Sequence, residues 1–265
     1  MSVAPINANG TEAAVVVHAD ADVLAEAAAA RLAVRLVDAQ AARGAACVVL
    51  TGGGVADRVY RALGRSPARE AVDWARVDVW WGDERFLPAG DPDRNETQAR
   101  AALLDSLPLD PDRVHPMPAS DGPDGNDPEA AAARYAAELA AAAGPGHATL
   151  PHFDVLLLGI GPDAHVASVF PEHPVTYETR PVSAVRGSPK PPPNRITLTL
   201  PALNTAEEIW LIAAGREKAA AVRLGLSGAG PVQVPAAGVH GLSRTLWLLD
   251  RHAAADVPPR LRSLR

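Results

Sequence analysis

FDVLLLGIGPDAHVASVFPEH, residues 153–173, joins an apolar run, a glycine turn and an acid–imidazole pair within one short segment. The run Phe153–Leu158 reads as a strand covered on both faces of a parallel sheet, where near-continuous apolar sequence replaces strict alternation. Gly159, Gly161 and Pro162 then force a turn, and Asp163 and His165 follow at the start of what reads as a helix. In open α/β sheets the crevice beyond the carboxyl ends of the strands is where ligands bind. An acid and an imidazole two residues apart at that place are candidates for proton transfer.

Strands and helices alternate on either side of this segment. Ala14–Val17 reads as a strand, and Asp20 or Asp22 suits the cap of an alanine-rich helix running to about Arg43. Ala46–Leu50 is a second strand, leading through Thr51-Gly52-Gly53-Gly54 into a helix over Ala56–Leu63. Arg76–Trp81 is a third, followed by the polar loop GDERFLPAGDPDRNET and a helix from about Glu96. The loop Pro118–Pro128 precedes a helix near Glu129–Ala143. Further strands are expected near Val182–Arg186, Arg195–Leu200, Glu208–Ala213 and Thr245–Leu249, with a helix over Arg216–Leu226 and a helical tail. Such alternation implies right-handed crossovers and the α/β class: a mostly parallel twisted sheet with helices on both faces, a modified Rossmann-like arrangement. No internal repeat is evident, and residues 1–265 are expected to form a single domain.

Composition narrows the function. Aromatic residues make up only 4%, which disfavours stacking of nucleic-acid bases. The net charge of −6 argues against a general polyanion binder, yet leaves room for a local basic pocket. Cys47 is the only cysteine, so an internal disulfide or a Cys-rich zinc site is excluded, and a buried core thiol is expected. The N-terminus lacks a basic region followed by an apolar signal core, and no run approaches the ~20 residues that a membrane span needs. A cytoplasmic protein with no membrane or nucleic-acid partner is the expectation.

Several segments carry potential chemistry. LTGGG, residues 50–54, lies between a strand and a helix, where glycines let backbone N–H groups approach an anion; a plain tight turn is the competing reading. It is not a P-loop, because GxxxxGK[ST] is absent. GIGPDA at 159–164 fits a relaxed dinucleotide fingerprint, but Asp163 would set a carboxylate near a pyrophosphate, and no acid ends a strand about 20 residues later. WWGDERFLP at 80–88 places Asp83, Glu84 and Arg85 just after a strand, either as a solvated loop or as part of a convergent site. Arg85 could then fork onto a carboxylate, a phosphate or a developing oxyanion. SPKPPPNRITLTL supplies Lys190 and Arg195, and AAGREKAAAV supplies Lys218. A cation in the first turn of a helix opposes the macrodipole, so Lys218 is either a surface lysine or serves an anion. The histidines form no HxxxH or HExxH pair, so no metal site is expected, and no GxSxG elbow supplies an acyl-serine nucleophile.

In this order the segments resemble the glucosamine-6-phosphate isomerase/6-phosphogluconolactonase family, and its lactonase members more than its deaminases. The matches LTGGG, WWGDERFLP, FDVLLLGIGPDAHVASVFPEHP, SPKPPPNRITLTLPALN and GREKAAAV run through most of the chain. The resemblance implies a sugar-phosphate isomerase-like fold. It also implies hydrolysis, without cofactor or metal, of 6-phospho-D-glucono-1,5-lactone to 6-phospho-D-gluconate in the oxidative pentose phosphate pathway. His165 would act as general base, Asp163 would orient it, and Arg85 with a backbone N–H would meet the oxyanion. Gly52, Gly53 and Gly54 would cradle the phosphate with Arg195 and Lys218 as counter-charges, and Asp83 would join the substrate-binding set. Whether Lys190 or Arg195 faces the phosphate stays open, as does the role of Glu84. The implied partner is a small phosphorylated sugar lactone, bound by a monomer or weak homo-oligomer.

Three positions depart from the family pattern. Gly54-Val55-Ala56 stand where Ser-Thr-Pro is common, so a hydroxyl contact to phosphate is lost. Ala164 replaces a glycine, which makes sense if its φ is negative. Arg94-Asn95-Glu96 replace Ser-Asn-Tyr, and no substrate role is assigned to Glu96. The deaminases carry Asp-Glu-Tyr where this chain has Asp83-Glu84-Arg85, which favours the lactonases. A deaminase or isomerase acting on an amino-sugar phosphate, and a non-catalytic sugar-phosphate sensor, are the alternatives.

Overall fold

The apolar runs become strands of one parallel sheet in the computed structural model, which describes residues 12–144 and 149–261. In chain order the elements are β1 (Glu12–His18), α1 (Ala21–Arg43), β2 (Ala46–Leu50), α2 (Gly54–Arg65), β3 (Val77–Trp81), β4 (Asp83–Arg85) and α3 (Asn95–Ala102). There follow α4 (Pro128–Ala142), β5 (Val155–Gly159), β6 (Val182–Val185), β7 (Arg195–Leu198), α5 (Leu200–Leu203), β8 (Glu208–Ala213), α6 (Ala219–Gly225) and β9 (Arg244–Asp250). Six strands pair in parallel in the order β1-β9-β8-β5-β2-β3. Both alternating sets of side chains on β2 and β9 are buried, so layers cover both faces of this sheet. Asp20 is the N-cap of α1, its carboxylate accepting the N–H groups of Asp22 and Val23 at 3.0 and 2.8 Å. Leu24, Ala28, Leu32, Leu36 and Ala39 form the buried face of that helix at helical spacing. No helix among the described residues is long and apolar enough to cross a membrane.

Six local expectations are corrected. The strand read from Phe153 begins at Val155, because Asp154 interrupts the apolar run. Its buried carboxylate accepts the Cys47 N–H at 2.9 Å and pairs with Arg43, and that pairing is what makes a charge tolerable there. The polar loop after β3 contains a strand: β4 joins β7 and β6 in a small antiparallel sheet. Gly82 ties the two sheets, donating to Leu50 O at 3.0 Å and accepting from Leu198 N at 2.8 Å.

No helix follows β5. Residues 160–173 run as successive turns, with Gly161 N donating to His165 O and Ala164 N to Gly161 O, both at 2.9 Å. Ala164 has φ +66°, opposite to the expected sign. Its side chain is fully buried and its carbonyl accepts from Ala236 N at 3.0 Å, so tertiary contacts impose a conformation that the residue disfavours. The helix expected over Arg216–Leu226 splits into a 3₁₀ turn, Arg216–Lys218, and α6. In place of the helical tail there are turns over 251–256 and a 3₁₀ turn at Pro259–Leu261; residues 262–265 lie outside the described residues.

Topology places the site. From β2 the chain crosses to β3 on one side, whereas from β5 it reaches β8 on the other, so the order reverses between β2 and β5. A reversal of this kind opens a crevice at the carboxyl ends of the strands.

Candidate active site

Segments that follow β2, β3, β5 and β8 surround a cleft of about 270 Å³ at that reversal. Gly52, Gly53, Gly54, Asp83, Arg85, His165, Lys190, Arg195 and Lys218 all line it, and Asp163 stands behind His165. The segments picked out from the sequence therefore meet in space.

Gly53, at φ +103°, is the N-cap of α2 and offers no capping side chain. The first-turn residues Gly54, Val55 and Ala56 line the cleft with it. Backbone donors of an uncapped helix start and the positive end of the helix dipole suit an anion. Gly52 must be glycine for another reason: a Cβ there would overlap the side-chain amide of Asn95.

Strand alternation sorts the DER triplet. In β4, Asp83 and Arg85 share one face and stand opposite Thr197 and Arg195 of β7, whereas Glu84 points the other way. Asp83 is buried at the cleft wall and accepts from Ser168 Oγ at 2.6 Å. Arg85 donates through Nη1 to Asp93 O. Glu84 is fully buried away from the cleft, where its carboxylate accepts the N–H groups of Asn95 at 2.6 Å, Arg85 at 2.8 Å and Glu96 at 2.9 Å. It thereby caps α3 and fixes the loop that carries Asn95, with Arg94 3.9 Å away. Burial pushes the Glu84 carboxyl up to about 7, against the pull of Arg94 and the three backbone donors. Glu96 pairs with Arg94 and Arg100 at 3.2 and 2.9 Å.

The turn after β5 presents the acid–imidazole pair. His165 Nδ1 lies 2.5 Å from Asp163 Oδ1, and the imidazole packs on the Phe170 ring at 4.6 Å. Lys190 Nζ reaches both, at 3.3 Å from His165 Nδ1 and 3.4 Å from Asp163 Oδ1. Partial burial works to raise the Asp163 carboxyl, but the hydrogen bond and charge of His165 and the charge of Lys190 prevail and hold it well below the usual carboxylate range. With Nδ1 occupied, Nε2 is the ring nitrogen left for chemistry on a ligand.

Four cations, Arg85, Lys190, Arg195 and Lys218, line the cleft against one carboxylate, Asp83, in a chain whose net charge is −6. Burial lowers the Arg195 guanidinium from its usual value, and burial followed by the nearby Lys190 charge lowers the half-buried Lys218. An anionic ligand relieves that repulsion. Among the described residues, no three His, Cys, Asp or Glu side chains gather as metal ligands.

Sequence reasoning missed Asn95, Ser168 and Phe170 as parts of the site. Asn95 Nδ2 donates to Asp83 O at 2.8 Å, which fixes its amide between β4 and the glycine turn. Recognising DER as a strand would have separated Glu84 from its neighbours; no local signal points to Phe170.

Comparison with known proteins agrees with the geometry. The family described as glucosamine-6-phosphate isomerases/6-phosphogluconolactonase matches residues 19–247. A 6-phosphogluconolactonase of Streptomyces coelicolor is 65% identical over 245 residues, covering 92% of this chain and 94% of its own length. One from Mycobacterium tuberculosis is 51% identical over 240 residues, covering 90% and 96%. The solved structure of 6-phosphogluconolactonase from Trypanosoma brucei superimposes with a TM-score of 0.78 at 29% identity, over 94% of this chain and 100% of that one. On the extent of these matches, the chain belongs to the glucosamine-6-phosphate isomerase/6-phosphogluconolactonase family.

Proposed function

We propose that this chain is an enzyme that hydrolyses 6-phospho-D-glucono-1,5-lactone to 6-phospho-D-gluconate in the pentose phosphate pathway. The observation that carries the reading is the Asp163–His165 pair facing a cation-lined cleft whose other wall is an uncapped helix start. The lactonase relatives at 65% and 51% identity support the substrate.

The phosphate sits against the Gly52–Gly54 turn and the start of α2, with Lys218 as counter-charge. Anchoring that end brings C1 of the lactone to His165 and makes the encounter an oriented one. His165 Nε2 takes a proton from water as the water oxygen bonds to C1, and Asp163 stabilises the imidazolium through Nδ1. Arg85 and a backbone N–H of the 159–163 turn receive the tetrahedral oxyanion. The C1–ring oxygen bond then breaks, and the proton on His165 passes to the departing oxygen, which leaves imidazole neutral and the product as a carboxylic acid that releases its remaining proton to solvent water as the carboxylate. Asp83 is taken as part of the sugar-binding wall.

A coupled assay with freshly generated lactone, corrected for spontaneous opening, tests the reading. Turnover well above background supports it. Release of ammonia from glucosamine 6-phosphate would make the chain a deaminase, and saturable phosphosugar binding without turnover would make it a sensor. We place this activity in the cytoplasm, in a single-domain monomer or weak homo-oligomer; cell fractionation and sedimentation check both points.

A further inference from the structure

Arg195 lines the cleft, yet three of the five N–H donors of its guanidinium face the chain itself. Nη2 donates to Pro191 O at 3.0 Å and to Lys190 O at 3.3 Å, and Nε donates to Pro192 O at 3.4 Å. The guanidinium carbon also stands 5.6 Å over the Phe170 ring, the same ring that packs against His165. Lys190, whose carbonyl Arg195 holds, sets its ammonium against both members of the acid–imidazole pair. Arg195 thus touches two of the groups that surround His165.

The gripped segment is poor in other means of fixing itself. Pro189, Pro191, Pro192 and Pro193 have no N–H to donate. Backbone donors there are limited to Ser188 N, which bonds Pro193 O at 2.9 Å, and Lys190 N, which bonds Ser188 Oγ at 3.3 Å. Three successive carbonyls, Lys190 to Pro192, therefore share one side-chain donor group. A planar fork can serve them together, whereas an ammonium cannot match that geometry.

We infer that Arg195 is a positioning residue: it clamps the carbonyls of Lys190–Pro192 so that the Lys190 ammonium stays on Asp163 and His165, and it acts on turnover through that contact rather than by gripping the phosphate. The inference rests on the lactonase reading for its kinetic consequences only.

Steady-state kinetics of Arg195→Lys, Arg195→Met, Lys190→Met and the Arg195→Met/Lys190→Met double variant test it, together with calorimetric binding of 6-phosphogluconate. Either Arg195 variant should lower kcat by about tenfold or more while KM and the product Kd stay within about threefold of wild type. The double variant should be within about threefold of Lys190→Met alone, because both changes disable one unit. A KM and product Kd raised about tenfold at near-normal kcat would make Arg195 a phosphate ligand and overturn the inference, as would losses that multiply in the double variant. Arg195→Lys keeps the charge and answers the question even where Arg195→Met does not fold.

A second readout does not need turnover. Carbethoxylation of His165, followed by peptide mass spectrometry, should accelerate alike in Arg195→Lys and Lys190→Met as the strap loosens. An unchanged rate in Arg195→Lys sinks the clamp whatever the enzyme's reaction. A wild-type protein that does not turn over the lactone, with His165 still unmasked in both variants, sinks the lactonase reading and leaves the clamp standing.

Discussion

Asp163 Oδ1 lies 2.5 Å from Nδ1 of His165, and the missing side chain of Gly161 is what allows the two to meet. The pair closes over the Gly161 backbone, where a Cβ would overlap both His165 Nδ1 and Asp163 Oδ1. One glycine therefore shapes the turn and leaves space for its chemistry.

Removing the base is the most direct test. His165→Ala should lower kcat by roughly 10²–10⁴-fold, with KM much less affected. Asp163→Asn should lose less, since the imidazole remains but its orientation and charge support weaken. Both are read in the coupled assay after subtraction of spontaneous lactone opening. A near-normal rate for His165→Ala would remove the histidine from the mechanism.

Gly161→Ala should behave like a catalytic lesion although no reacting group is changed. Its backbone does not require positive φ, so the defect is the overlap with the pair. A kcat about tenfold lower or worse, with far-ultraviolet circular dichroism unchanged, is the expected result.

Lys218→Met should raise KM by about tenfold and leave kcat within about threefold, because a counter-charge to the phosphate serves ground and transition states alike. The effect should shrink in high salt, where the wild type also loses part of the attraction. A kcat defect at unchanged KM would place Lys218 at the reacting carbonyl instead.

Glu84 predicts a stability phenotype. Glu84→Ala leaves two backbone donors at the start of α3 and the Arg85 N–H of β4 without their acceptor, and leaves the buried Arg94 with Glu96 as its one carboxylate neighbour among the described residues. Losing one partner of a buried charged network costs about 3–5 kcal/mol. Urea unfolding measures the loss, and a change below about 1 kcal/mol would refute this account of the network.

His115 gives a pH signature remote from the cleft. It stacks on Trp80 at 3.8 Å and bonds Glu138 at 2.8 Å, with Asp78 3.8 Å away. Burial works to lower its pKa, but the nearby Asp78 carboxylate and the hydrogen-bonded Glu138 carboxylate outweigh this and lift it from 6.5 to about 9. The folded state thus binds the proton more tightly, so the stabilisation is fully present below the ordinary histidine value and is lost as pH rises through about 9. His115→Gln should flatten the change in urea midpoint between about pH 6 and about pH 9.5. An undiminished slope in the variant would assign the titration to another group.

Much of this was readable along the chain because local patterns carry local physics. The apolar runs Ala46–Leu50 and Glu208–Ala213 are strands at the boundaries read from them, and Asp20 caps the helix that follows it. Turn chemistry marked Gly52–Gly54 and Gly159–Gly161, and alternation of strand and helix implied that both lie at the same edge of one sheet.

Other features depend on partners distant in sequence. Glu84 faces away from the cleft while Asp83 and Arg85 face it because β4 pairs with β7, more than a hundred residues later. Ala164 holds φ +66° because residue 236 and the surrounding core fix it there. Arg195, one of four cations lining the cleft, has three of its five N–H donors on the Lys190–Pro192 carbonyls and its face on Phe170. Periodicity and turn residues act over a few bonds and are written in order. Which donor meets which acceptor across the cleft is set by packing, and packing exists once the layers have come together.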